Sequence, residues 1–94
     1  MKFYVSTYWN DSNDGDLSKF EANDLDELCT KISGCLENAC GISGVEDFMV
    51  EADGDGAPSF NWTDDDLPRS QSLRDVWNEV EESIREEFKG VFGK

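Results

Sequence analysis

The first stretch with a clear period is residues 2–9, where Phe3, Val5, Thr7 and Trp9 fall on one side of an extended chain and Lys2, Tyr4, Ser6 and Tyr8 on the other. Such β-branched and aromatic residues suit a pleated surface, so a strand is predicted. Asn10 to Asp16 is dense in turn formers and predicts a chain reversal. Residues 17–22 then read as a short second strand with Phe20 and Ala22 on its inner face. The two strands predict a β-hairpin with a long tip.

The period then changes from two to that of a helix. Asn23 is the expected N-cap, and Asp24, Asp26 and Glu27 suit the positive end of a helix dipole. Leu25, Leu28, Cys29, Ile32, Leu36 and Ala39 form one apolar stripe, which Gly34 interrupts and Gly41 ends. Residues 45–52 alternate around Phe48 and Val50 and predict a third strand. From Asp53 to Gln71 the chain reads as a loop, with room for a short strand at Ser59–Trp62. Ser72 and Asp75 have the spacing of a capping box, with Asp in place of Glu. Leu73, Val76, Trp77, Val80, Ile84, Phe88 and Val91 then predict a second helix over about 73–89.

Each helix has one apolar stripe to bury, so both should lie on the same face of a sheet. The predicted class is α+β: a small antiparallel sheet of about three strands, two helices packed on one face, order β-β-α-β-α. Residues 1–94 leave room for a single hydrophobic core and hence one domain.

Charge changes this picture most. Twenty-two Asp and Glu stand against eight Lys and Arg with no His, a formal net charge of −14. Solubility alone asks for a magnitude of about 2–8 in a small domain. Such a field repels nucleic acid and anionic membranes and attracts a cationic partner. The N-terminal sequence turns polar within ten residues, without the apolar run of a signal peptide or membrane span. Cys29, Cys35 and Cys40 are therefore expected to be reduced thiols in the cytoplasm.

Catalytic chemistry finds few candidates. There is no His to act as a base near neutral pH, no phosphate-cradling glycine loop after a strand, and no base beside a Ser or Cys nucleophile. The cysteines lie on or beside the first helix's apolar stripe and read as small buried hydrophobes. Asn10 to Glu21 partly matches a twelve-residue calcium loop, with Asn10, Ser12, Asp14, Gly15 and Glu21 at positions 1, 3, 5, 6 and 12. Its first position lacks the usual Asp and its flanks read as strands, so a polar hairpin tip is the simpler expectation. Asp53-Gly54-Asp55-Gly56 fails as such a loop at Ala57-Pro58, and three cysteines without His make no zinc site. Neither catalytic residues, nor a metal, nor a cofactor is predicted.

The remaining constellation is the acidic surface. On the second helix Asp75, Glu79, Glu82 and Glu86 fall in one row opposite the apolar stripe. At about 1.5 Å per residue the row places a carboxylate roughly every 5 Å, against a phosphate about every 3.4 Å along one DNA strand. Asp11, Asp14 and Asp16 form one acidic loop, and Asp53, Asp55, Asp64, Asp65 and Asp66 another. Together these residues predict a surface for a Lys/Arg-lined groove. Tyr8, Trp9, Phe60 and Trp62 lie near the loops, as contact anchors or as core.

The opening Phe3-Tyr4-Val5-Ser6-Thr7-Tyr8, followed by a polar turn and an acidic helix, resembles the ArdA antirestriction proteins. So do Asp47-Phe48-Met49-Val50-Glu51-Ala52-Asp53-Gly54 and the later Asp75-Val76-Trp77. The chain is about the size of one domain of that family, without a counterpart of the dimerising part. It is also similar in size and charge to small phage anti-CRISPR proteins. The resemblance implies a phage or mobile-element inhibitor in the host bacterial cytoplasm, mimicking DNA at the basic DNA-binding surface of a CRISPR effector or restriction enzyme. An immunity-type protein for a basic toxin and a calcium-binding module are the alternatives.

Overall fold

A computed structural model describes residues 1–11 and 13–92. The elements are β1 (Lys2–Trp9), β2 (Asp14–Glu21), α1 (Leu25–Cys40), β3 (Asp47–Ala52), β4 (Ser59–Thr63) and α2 (Leu73–Phe88). Single 3-10 turns follow α1 at Ile42–Gly44 and α2 at Lys89–Val91. The sheet is fully antiparallel in the order β2-β1-β3-β4. The α+β class and the two helices on one face are as the periodicity predicts, with one strand more. Phe60 and Trp62 alternate on β4 because they sit opposite Val50 and Phe48, the inner positions of β3.

The hairpin differs in a way that moves charge. β2 begins at Asp14, which pairs with Trp9, and Asp16 pairs with Thr7, so both belong to the strand and not to the turn. The reversal falls between Trp9 and Asp14, with Asn10 and Asp11 at φ of 58° and 61°. Left-handed backbone at two successive residues favours short side chains able to hydrogen-bond locally, and Asn10 Nδ2 donates to Asp14 Oδ2 at 2.8 Å. The same pairing sets Glu21, the twelfth position of the calcium-loop pattern, beside Lys2 at the far end of the strand, while Ser12, its third, lies outside the described residues. At the opposite end of the sheet, Gly54 (φ 124°) and Gly56 (φ 71°) turn the chain between β3 and β4.

Phe3, Val5 and Thr7 of β1, Phe48, Val50 and Ala52 of β3, and half-buried Phe20, Phe60 and Trp62 form the inner sheet face. Onto it α1 presses Leu28, Cys29, Ile32 and Leu36, and α2 presses Leu73, Val80, Ile84 and Phe88. Ring contacts set the direction of α2. Trp77 lies 6.5 Å from Phe48, and Phe88 lies 5.8 Å from Phe3. Since Phe48 pairs with Thr7 and Ala52 with Phe3, α2 runs along β3 and against β1. Two ion pairs, Arg74–Glu37 at 3.2 Å and Arg85–Asp26 at 2.7 Å, join opposite ends of the helices and make them antiparallel.

Local capping explains the helix ends. The N-cap of α1 is Asp24, one residue beyond the sequence expectation, because its carboxylate accepts the Glu27 N–H at 2.8 Å. Glu27 in turn accepts from the Asn23 N–H at 2.6 Å. Gly34 leaves α1 unbroken and faces solvent. Ser72 and Asp75 form the predicted capping box, with the Ser72 N–H donating to Asp75 Oδ2 at 2.9 Å.

Candidate partner-binding surface

The carboxylates divide according to what they already bind. On α1, Asp24 and Glu27 cap the helix, while Asp26 and Glu37 meet arginines of α2. The first helix therefore offers little free acidity. On α2 the row is real and solvent-facing: Asp75, Glu79, Glu82 and Glu86 are all exposed. Asp75 is held by the capping box, and Glu86 accepts from Lys89 Nζ at 2.5 Å. Glu79 and Glu82 make no side-chain hydrogen bond or ion pair among the described residues. The cations of this helix region are all engaged, Arg74 with Glu37, Arg85 with Asp26 and Lys89 with Glu86.

The long acidic loop is split by β4. At one end of the sheet, Asp11 of the hairpin tip, Glu46 and Asp47 at the start of β3, and Thr63, Asp64 and Asp65 at the end of β4 surround a concavity of about 430 Å³. Glu46 organises it. Its N–H donates to the Tyr8 carbonyl at 2.9 Å, its carbonyl accepts from the Asp64 N–H at 2.9 Å, and its carboxylate accepts from the Asp11 N–H at 2.8 Å. The Asp64 carboxyl is pushed above the usual carboxylate range, first by burial and then by the charges of Glu46 and Asp65. Asp65 is oriented through its N–H, which donates to Thr63 Oγ1 at 3.0 Å, and Asp66 is exposed on the same loop.

At the other end, Asp53 and Asp55 share a concavity of about 390 Å³ with Glu87, over an apolar floor that includes Ala57, Pro58 and Val91. α2 begins after the Asp64–Asp66 loop, and Glu87 near its end lines the concavity of Asp53 and Asp55, so the helix runs from one acidic end of the sheet to the other. A 16-residue helix spans about 24 Å. Asp14 and Asp16 do not join this band. They lie on β2, the sheet edge farthest from β4 and α2.

The sequence reading did not place Glu46 or Asp47 in the acidic surface. Glu46-Asp47 was visible as an acidic pair at the foot of a strand, but its position against Asp11 and Asp64 depends on strand order. Phe60 and Trp62 lie 6.0 and 5.9 Å from Phe48 and belong to the core margin. Tyr8 points to the opposite sheet face and is 41% exposed. The thiols are free, and burial raises all of them, Cys29 to about 11. Such thiols stay protonated at neutral pH and are poor nucleophiles. No group of His, Cys, Asp or Glu arranged to hold a metal occurs among the described residues, and no described helix is long and apolar enough to cross a membrane.

No family model, curated protein or solved structure matches the chain.

Proposed function

We propose that this protein is a non-catalytic acidic DNA mimic, a phage or mobile-element inhibitor acting in the host cytoplasm. It occupies the basic DNA-binding surface of a defence complex, a CRISPR effector or a restriction enzyme. The observation that carries this reading is the exposed α2 row, whose neighbours Arg74 and Arg85 pair with carboxylates of α1 while Lys89 meets only Glu86, together with the acidic clusters at both ends of the sheet. The molecule is 41 Å long, a little more than one turn of B-DNA at about 34–36 Å. Lysines and arginines that normally hold phosphates would meet carboxylates along a comparable length, and long-range attraction would speed their encounter.

The test begins with capture of a target from a bacterial lysate that contains CRISPR and restriction systems, followed by competition with the target's DNA. Inhibition should be lost progressively as salt rises, because the interface is dominated by charge. Changing Glu79, Glu82 and Glu86 together to Gln should weaken inhibition by about tenfold or more with the fold intact. Unchanged inhibition by the triple variant would remove α2 from the interface. Capture of a single basic toxin, with no effect on either defence system, would favour the immunity-type reading.

A further inference from the structure

The two acidic ends of the sheet are built differently. The concavity at the Asp64 end is lined by polar and acidic residues alone. The one at the Asp53 end, about 390 Å³, sets Ala57, Pro58 and Val91 beside Asp53, Asp55 and Glu87. Its acids come from two elements, the turn between β3 and β4 and the last turn of α2. All three are exposed, and none makes a side-chain hydrogen bond or ion pair among the described residues. No Lys or Arg lines this concavity among the described residues. The positive group there is the Met1 ammonium, 3.5 Å from the Ala22 carbonyl, so carboxylates remain in clear excess.

The turn is also held in place. The Asp53 N–H donates to the Lys2 carbonyl at 3.0 Å, the Ala52 N–H to the Pro58 carbonyl at 3.3 Å, and the Ala57 N–H to the Gly54 carbonyl at 3.3 Å. The backbone that carries Asp53 and Asp55 is therefore ordered before any partner arrives, which lowers the cost of binding.

Chemistry narrows the occupant. A bare metal ion has no use for the apolar lining, and these acids are not grouped to hold one. An apolar ligand would strip water from carboxylates and offer them nothing in return. An arginine side chain answers both demands, because its methylenes lie along apolar surface while its guanidinium meets charge. Its planar fork presents five donors in fixed directions, enough to serve carboxylates from two elements, and it is less strongly hydrated than a lysine ammonium. We infer that this concavity receives an arginine side chain of the basic partner, an anchor that a plain row of charges lacks. The inference rests on the reading of the chain as a binder of a basic partner. It makes the Asp53 end, not the middle of α2, the point of tightest contact.

Titration of the full chain with acetyl-Gly-Arg-Gly-amide, followed by amide NMR shifts at about 0.15 M salt, tests this. Saturable shifts are expected at Asp53, Gly54, Asp55, Glu87 and Val91, with half-saturation at roughly 1–10 mM. The citrulline peptide, a neutral isostere, should bind about tenfold more weakly, and the lysine peptide several-fold more weakly. Asp55→Asn with Glu87→Gln, both at exposed positions, should weaken the arginine peptide by about tenfold. So should Ala57→Leu, which fills the hollow without changing its charge; the same spectra report whether each variant is folded. Citrulline or lysine peptides that bind as tightly as arginine overturn the inference. So do shifts spread evenly along Glu79 and Glu82, or a double variant that binds like the parent. Binding that appears only after Lys94→Gln would make this chain's own lysine the occupant and overturns it too. The titration needs no target: saturable arginine binding without inhibition of any defence complex supports the anchor and removes the DNA-mimic reading, whereas inhibition without peptide binding removes only the anchor.

Discussion

Arg85 of α2 reaches Asp26 of α1 at 2.7 Å, and this pair links the packing of the helices to the charge of the surface. It joins the end of one helix to the start of the other, and it takes from the α2 surface a cation that would otherwise break the acidic row. Asp26 is 86% exposed, so the pair adds little stability. Asp26→Asn should lower Tm by roughly a degree or two at low salt. The difference from the parent should vanish at about 1 M salt, where the screening length is about 3 Å. Parallel thermal melts at low and high salt check this.

Asp75 belongs to the acidic row but has a structural duty. Its carboxylate satisfies the N–H of Ser72 at the start of α2. Asp75→Ala should destabilise the fold by about 1 kcal/mol, seen as a lower urea midpoint with an unchanged m-value. Glu79→Gln should leave the midpoint nearly unmoved, since Glu79 has no side-chain hydrogen bond or ion pair among the described residues. The contrast separates the carboxylate that builds the helix from one that faces a partner.

Phe48 is fully buried and meets Phe60, Trp62 and Trp77 at ring distances of 5.9 to 6.5 Å. It fastens β4 and α2 to the middle of the sheet. Phe48→Ala should cost about 3–5 kcal/mol, through lost burial and the cavity left behind. In a domain with about 5–15 kcal/mol to lose, equilibrium urea unfolding should show a large part of the stability gone.

The acidic concavity opposes folding at neutral pH. The raised Asp64 carboxyl means that the folded state favours the protonated form. Its stabilising contribution is complete below the unfolded value of about 3.9 and is lost as pH rises through the higher folded value. Asp64→Asn should therefore raise the urea midpoint at pH 7 and flatten the decline expected of the parent as pH rises above the ordinary carboxylate range. A parent-like slope in the variant would show that Asp64 is not the responsible group.

Burial holds the Cys29 thiol at about 11, against the ordinary 9.0. The same sign applies: this contribution is complete below pH 9.0 and is lost as pH rises toward about 11. Alkylation of Cys29 at pH 8 should be slow in the native state and should accelerate several-fold in denaturing urea, as read by mass spectrometry of the labelled peptides.

The elements themselves were legible because their signals are local. Alternation of Phe3, Val5 and Thr7 identifies β1, and the stripe from Leu73 to Phe88 identifies α2, since each period spans only a few residues. The Ser72–Asp75 cap was legible for the same reason. β4 was harder, because two inward side chains in five residues look like a loop until Phe48 and Val50 are there to receive them.

The candidate surface was legible as a quantity of charge and as one helical row, and much less as an arrangement. The chain alone determines that α2 presents Glu79, Glu82 and Glu86 together, because helical geometry carries them to one side whatever surrounds it. Only the tertiary structure decides that Asp26 and Glu37 are taken by arginines, that Asp11 meets Glu46 and Asp64, and that Asp14 and Asp16 stand apart. The physical reason is range. Helical neighbours are set by bonds a few residues apart, whereas these partners are brought together by strand order and by two helices sharing one apolar face.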